Sequence, residues 1–241
     1  MTHFRRIFAD ELDPMEQTMF DTLLALPLFQ GLGHADLTRI LESTRLEFDT
    51  VQEDTVVLGQ NEVCTGLTFI LDGRMKMERF SADGRWSVEE ELPIPAVIGV
   101  DVLYGSTRTY RHNYHTTRPS KLLRIDKRTI AALTSYFEVF RLNVLNLLTT
   151  TIARKDVAGW LPPAMTLEGR IVSFFRMHVE RPAGHKRFNI SQRTLGHYLG
   201  EDARYISKAI QNLASGKVIN AGRKYIEIPN FEQLLQFRSA L

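Results

Sequence analysis

One cysteine, Cys64, stands alone in a chain of 241 residues. A single thiol excludes an internal disulfide, a zinc site built from four cysteines and a cysteine-ligated iron–sulfur cluster. No stretch approaches the roughly 18–20 uninterrupted apolar residues of a membrane span, so no membrane partner is expected. The opening Met1-Thr2-His3-Phe4-Arg5-Arg6-Ile7 has basic residues with no apolar h-region behind them, which argues against a signal peptide. Catalytic spacings are missing as well: there is no nucleophile elbow, HExxH, P-loop or paired-carboxylate pattern. No catalytic residue and no metal ligand is therefore assigned. The expectation is a cytoplasmic protein that is not an enzyme.

What is present is ordinary in amount but uneven in placement. An apolar share of 44% and a charged share of 24% are those of a folded globular chain. The length suits one large domain or two medium ones. The formal net charge is only +2, yet from residue 151 onward 14 Lys+Arg face 7 Asp+Glu. Residues 1–150 hold the other 16 basic and 21 acidic side chains. A basic C-terminal part beside an acidic N-terminal part suits a chain that touches phosphate with one end.

The most informative run is Ile190 to Ile210. Leu195 and Leu199 lie four apart on one short helix, Gly200 permits the positive φ of a tight turn, and Asp202 can cap a second helix. Ile206, Ile210 and Leu213 keep that second helix docked at helical spacing. Ala203, Arg204, Tyr205, Ser207, Lys208 and Gln211 then point outward, toward base edges and phosphates. Ser191, Gln192 and Arg193 open the preceding helix, where short polar groups hold a phosphate. Any buried helical hairpin would show the same apolar positions; the glycine turn and the basic outer face favour double-stranded DNA. Residues 218–228 read as a hairpin with a basic tip, which makes this part a winged helix.

Upstream, residues 14–45 look helical. Between Leu46 and Ile125 short runs recur at 55–58, 67–71, 74–80, 86–92, 97–100 and 121–125, with Asp72-Gly73 and Asp83-Gly84 marking hairpins. That pattern predicts an antiparallel barrel or roll. Phe137, Phe140, Val144, Leu147 and Thr151 then recur at helical spacing, widened by Leu148 and Ile152. The stripe is a helix-to-helix dimer seam or a face packed on its own barrel. Gly159-Trp160-Leu161-Pro162-Pro163 ends this helix and marks a hinge. Thr166 caps the next helix, over 167–179. The fold class is α+β: residues 1–135 form a β-roll domain with N-terminal helices, 136–160 a dimerisation helix and hinge, and 161–241 a winged helix-turn-helix.

This order resembles the cAMP receptor protein / FNR family of bacterial transcription regulators. Pro27-Leu28-Phe29-Gln30-Gly31-Leu32 at the entry and Phe69-Ile70-Leu71-Asp72-Gly73-Arg74-Met75-Lys76-Met77 carry the likeness, with Asp83-Gly84-Arg85, Ile98-Gly99 and then 188–213. It covers roughly residues 26 to 230. The resemblance implies a homodimer on a two-fold symmetric operator, with recognition helices about 34 Å apart. It also implies an effector in the roll and contact with RNA polymerase. Residues matching the family's cyclic-nucleotide pocket are Gly99, Arg108, Thr109, Thr150 and Thr151, but Val100 stands where the ribose-binding Glu belongs, and Asp101 comes one place late. Arg108, Arg111, His112 and His115 together suit an acidic or phosphorylated ligand, or a solvated charged strand. The effector is cAMP, another small molecule, or none. Two rival readings are a cyclic-nucleotide-binding module controlling an enzyme and a DNA-binding regulator that needs no ligand.

Overall fold

The computed structural model describes residues 20–44, 46–159 and 164–239, apart from the side chains of 154–159 and 238–239. The first residues of the expected N-terminal helix (14–19) and positions 160–163 of the expected hinge lie outside that description. A helical stretch at 20–24 and α1 (His34–Ser43) lead into six strands: β1 (Glu47–Val51), β2 (Val56–Leu58), β3 (Gly66–Phe80), β4 (Ser87–Leu92), β5 (Ala96–Ile98) and β6 (Asn113–Asp126). Two helices follow, α2 (Lys127–Tyr136) and α3 (Glu138–Gly159). The C-terminal unit holds α4 (Leu167–His178), β7 (Lys186–Asn189), α5 (Gln192–Leu199), α6 (Ala203–Ser215), β8 (Asn220–Ala221), β9 (Ile226–Ile228) and α7 (Phe231–Ser239).

Strand pairing is antiparallel throughout and runs β1-β6-β3-β4-β7-β9-β8, with β2 also on β6 and β5 also on β3. The roll is built on β3 and β6, which pair from Gly66↔Asp126 to Glu78↔Asn113. Asp83-Gly84 does turn β3 into β4, closing on Phe80↔Ser87. Asp72-Gly73, expected as a second hairpin, instead lies inside one long strand. The register slips there, Gly73 takes φ +111°, and a Cβ would stand 2.6 Å from the Ser120 Cα. A turn-like dipeptide has become a bulge, which bends β3 over the core without ending it.

Two apolar cores form. In the first, Phe29 meets Phe69 and Phe140 edge-on at 5.6 and 5.2 Å, with Leu23, Leu26, Leu122 and Leu123 closed around them. Each such side chain contributes about 1.5–3 kcal/mol by leaving water. Phe140 is fully buried here, and Val144 and Leu147 pack on the same core. The Phe137, Phe140, Val144 and Leu147 part of the expected stripe therefore faces its own roll, and Ile152 does not. The opposite side of α3 leaves Leu142, Leu145 and Ile152 exposed.

The second core belongs to the C-terminal unit but takes Trp86 and Val88 from the roll. This follows from strand pairing: β7 adds to the free edge of β4, from Ser87↔Asn189 to Glu90↔Lys186. One sheet thus crosses from the first core to the second.

Candidate functional site

The geometry of α5 and α6 comes from local signals. Ser191 caps α5 by accepting from the Thr194 N–H at 3.1 Å. Gly200 ends it in the left-handed region at φ +67°, where a side chain would be strained. The Asp202 carboxylate accepts the Arg204 N–H at 2.8 Å and caps α6; that bond holds its pKa below the ordinary carboxylate range. Arg170 on α4 fastens the turn, reaching the Glu201 carboxylate at 2.7 Å and the Leu199 carbonyl. Ile206, Ala209, Ile210 and Leu213 are buried, and Trp86, Phe174, Phe175 and Phe188 complete the support beneath them.

On the outer face Ala203, Arg204, Tyr205 and Lys208 are exposed, and Ser207 is half-buried. The Arg204 side chain is 87% exposed and rests on Asp202, its Nε 3.1 Å from Oδ1. Ser191, Gln192 and Arg193 lie at the start of α5, with Arg193 exposed. All nine residues expected at a DNA surface, the exposed Gln211 included, thus fall on α5, α6 or their caps.

A second feature is a cavity of about 170 Å³ where the roll meets α3. Met77, Ile98, Gly99 and Tyr114 line it from the roll, and Leu147 and Thr151 from α3. Glu180, from the loop after α4, closes one side. Arg111 Nη1 is 3.6 Å from the Asp101 carboxylate, and His112 Nε2 is 3.7 Å from that of Glu180. Arg79 approaches Glu180 at 3.5 Å. Burial pushes the Tyr114 phenol well above its ordinary pKa, so it is a hydroxyl donor at neutral pH.

No protein-family model matches this chain, and no curated protein sequence does. Solved structures do. The catabolite activator protein of Thermus thermophilus superposes with a TM-score of 0.50 at 18% identity, over 89% of this chain and 99% of that one. A protein of the crp/fnr family of transcriptional regulators from Eubacterium rectale gives 0.52 at 16%, over the same shares. The chain has the CRP/FNR fold.

Within that fold the expected effector residues divide. Gly99 and Thr151 line the cavity; Arg108, Thr109 and Thr150 do not. Arg108 is exposed, and its carbonyl accepts from Cys64 N–H, while Thr109 bridges to Val63 and Thr150 is exposed on α3. Among the described residues the guanidinium that lines the cavity is Arg111. Val100 and Asp101 both line the space because 99–103 is a turn, with Val102 and Leu103 N–H both reaching the Gly99 carbonyl, and not a continuing strand. The family's ribose-binding Glu is replaced by Val100, and the two carboxylates that line the space, Asp101 and Glu180, lie against Arg111 and His112. His112, readable as a surface histidine, is 5% exposed beside Glu180. Glu180 and Tyr114 drew no attention in the sequence, because neither sits in a motif.

Proposed function

We propose that this chain is a homodimeric, sequence-specific DNA-binding regulator of transcription that acts without catalysis. The observation that carries the reading is the outer face of α6. A helix with a fully buried inner face leaves Arg204, Tyr205 and Lys208 exposed, next to a glycine turn and a capped helix start. Such a helix fits a major groove, where Arg takes guanine O6 and N7 in bidentate fashion. Helix α5 then lies against the backbone and the β8–β9 hairpin serves as the wing, so the unit from about residue 161 is a winged helix-turn-helix. The exposed Leu142, Leu145 and Ile152 of α3 supply an apolar strip for a second copy. The regulator acts on RNA polymerase at promoters carrying its operator.

Duplexes selected from a random pool test this. Arg204→Ala is expected to lose about 1–3 kcal/mol on the selected operator and to relax the preference at one base position. Equal binding by parent and variant would remove Arg204 from the reading head.

The small cavity supports a small-molecule effector in contact with the roll, α3 and Glu180 together. Strand pairing between β4 and β7 favours a second version, in which the DNA-binding unit is held without any ligand. Native mass spectrometry of freshly purified protein separates the two. A dimer mass is expected in both; a retained small molecule that shifts the mass supports control by an effector, and a bare dimer that binds operator supports the ligand-free version.

A further inference from the structure

An open groove of about 480 Å³ lies between the roll and the C-terminal unit, and its charge is of one sign. Arg85 reaches it from the β3–β4 hairpin, Arg187 from β7 and Lys224 from the tip between β8 and β9. Ser191 and Thr194, at the start of α5, line the same groove. Arg187 is held there: its guanidinium stacks on Tyr225 at 4.2 Å, and its Nε donates to Asn189 Oδ1 at 3.1 Å.

The carboxylates beside the groove are engaged, Glu227 opposite Arg187 by His185 at 2.9 Å. Asp83, 3.5 Å from Arg85 Nε, accepts from the Ser81 hydroxyl at 2.8 Å and the Tyr198 hydroxyl at 3.0 Å. Its bond to Tyr198 ties the roll hairpin to α5 and brings Arg85 alongside that helix. Glu89 takes the Asn189 amide at 2.7 Å and Lys76 at 2.9 Å. Three cations from three chain segments therefore share a groove that includes Ser191, a residue assigned above to the DNA backbone.

We propose that Arg85 contacts a DNA phosphate together with Arg187 and Lys224, so that the roll itself forms part of the DNA interface. This rests on the DNA-binding reading above. A phosphate contact adds affinity without sequence information, and its loss lowers the dependence on salt.

The test uses the full chain and a mixed-sequence duplex, titrated at about 50 and 200 mM salt. Arg85→Ala should weaken binding equally on every sequence and shrink the affinity ratio between the two salts by about threefold per lost contact. Arg85→Glu should weaken it further. Arg85 is 60% exposed and its one ion pair among the described residues is local, so both variants should melt with the parent. Unchanged affinity and salt slope in both variants, with Lys208→Ala still impaired, overturns the proposal and leaves the DNA-binding reading standing. Loss of binding to purified RNA polymerase with an unchanged DNA slope also overturns it, since the groove would then serve a protein. A parent chain that ignores every duplex at low salt removes the proposal and the reading together.

Discussion

Glu90→Ala is expected to destabilise the chain by about 3–5 kcal/mol at neutral pH, as removal of one partner of a buried ion pair does. Glu90 and Lys186 meet at 3.2 Å with side chains 1% and 3% exposed, at the join between β4 and β7. The Glu90 carboxylate also accepts the backbone N–H of Glu180 at 2.7 Å and of Arg181 at 3.2 Å. Lys186 also donates to the Ala183 carbonyl at 2.6 Å. Alanine would strand an ammonium and two amides together. Burial nevertheless raises the Glu90 pKa by more than Lys186 and the two amides lower it. The net field of the site thus favours the neutral acid relative to water. Through this group, stability is greatest below the ordinary carboxylate range and declines as pH climbs toward the raised value. Buried ion pairs of this kind are often no more stabilising than well-packed apolar side chains of the same size. Glu90→Gln with Lys186→Met should accordingly recover at least half of the loss, since the amide oxygen still accepts the shorter backbone bond. Denaturant unfolding of the two singles and the double gives the coupling; a double mutant as unstable as both singles added would reject this account.

The same join explains where sequence reading stopped. Helices α5 and α6 are legible because their determinants are local: Ser191, Gly200 and Asp202 each act within three residues, and Leu195, Ile206 and Ile210 recur at helical spacing. The cap of α4 by Thr166 and the hairpin at Asp83-Gly84 are legible for the same reason. The β4–β7 ladder is different. Its partners are about a hundred positions apart, and nothing in Ser87-Val88-Glu89-Glu90 says which strand will take its edge. Nothing local marks Glu90 and Lys186 as partners, and Trp86 falls in the 86–92 run of the roll. Asp72-Gly73 misled for a related reason: the dipeptide reports a positive φ, which a bulge opposite Ser120 uses as well as a hairpin does. In the cavity, composition marked a cationic strand, but the 62–64 to 108–110 pairing leaves Arg108 off the cavity while Arg111 lines it.

Trp86→Ala should therefore damage a unit to which residue 86 does not belong in sequence. The indole is 6% exposed and packs against Phe174 at 5.2 Å, Tyr198 at 6.0 Å and Phe188 at 6.3 Å, with His178 edge-on at 4.9 Å. Truncating a buried Trp costs about 3–5 kcal/mol. The loss should appear as faster amide exchange in α4, α5 and α6, with β3 and β6 near Phe69 and Leu123 still protected. Trp86→Phe should keep most of the stability, because the indole Nε1 makes no hydrogen bond among the described residues. His178 gives an independent readout. Burial lowers its pKa below 6.5 despite the bond between Nδ1 and the Phe174 carbonyl. A depressed histidine leaves stability intact above 6.5 and withdraws it as pH falls toward the folded value. Removing the indole lets water reach the ring, so in Trp86→Ala the His178 titration followed by NMR should move back toward 6.5 and that acid loss should flatten. An unmoved titration, or exchange that quickens in the roll and not in the C-terminal helices, would mean that the second core does not depend on the strand it borrows.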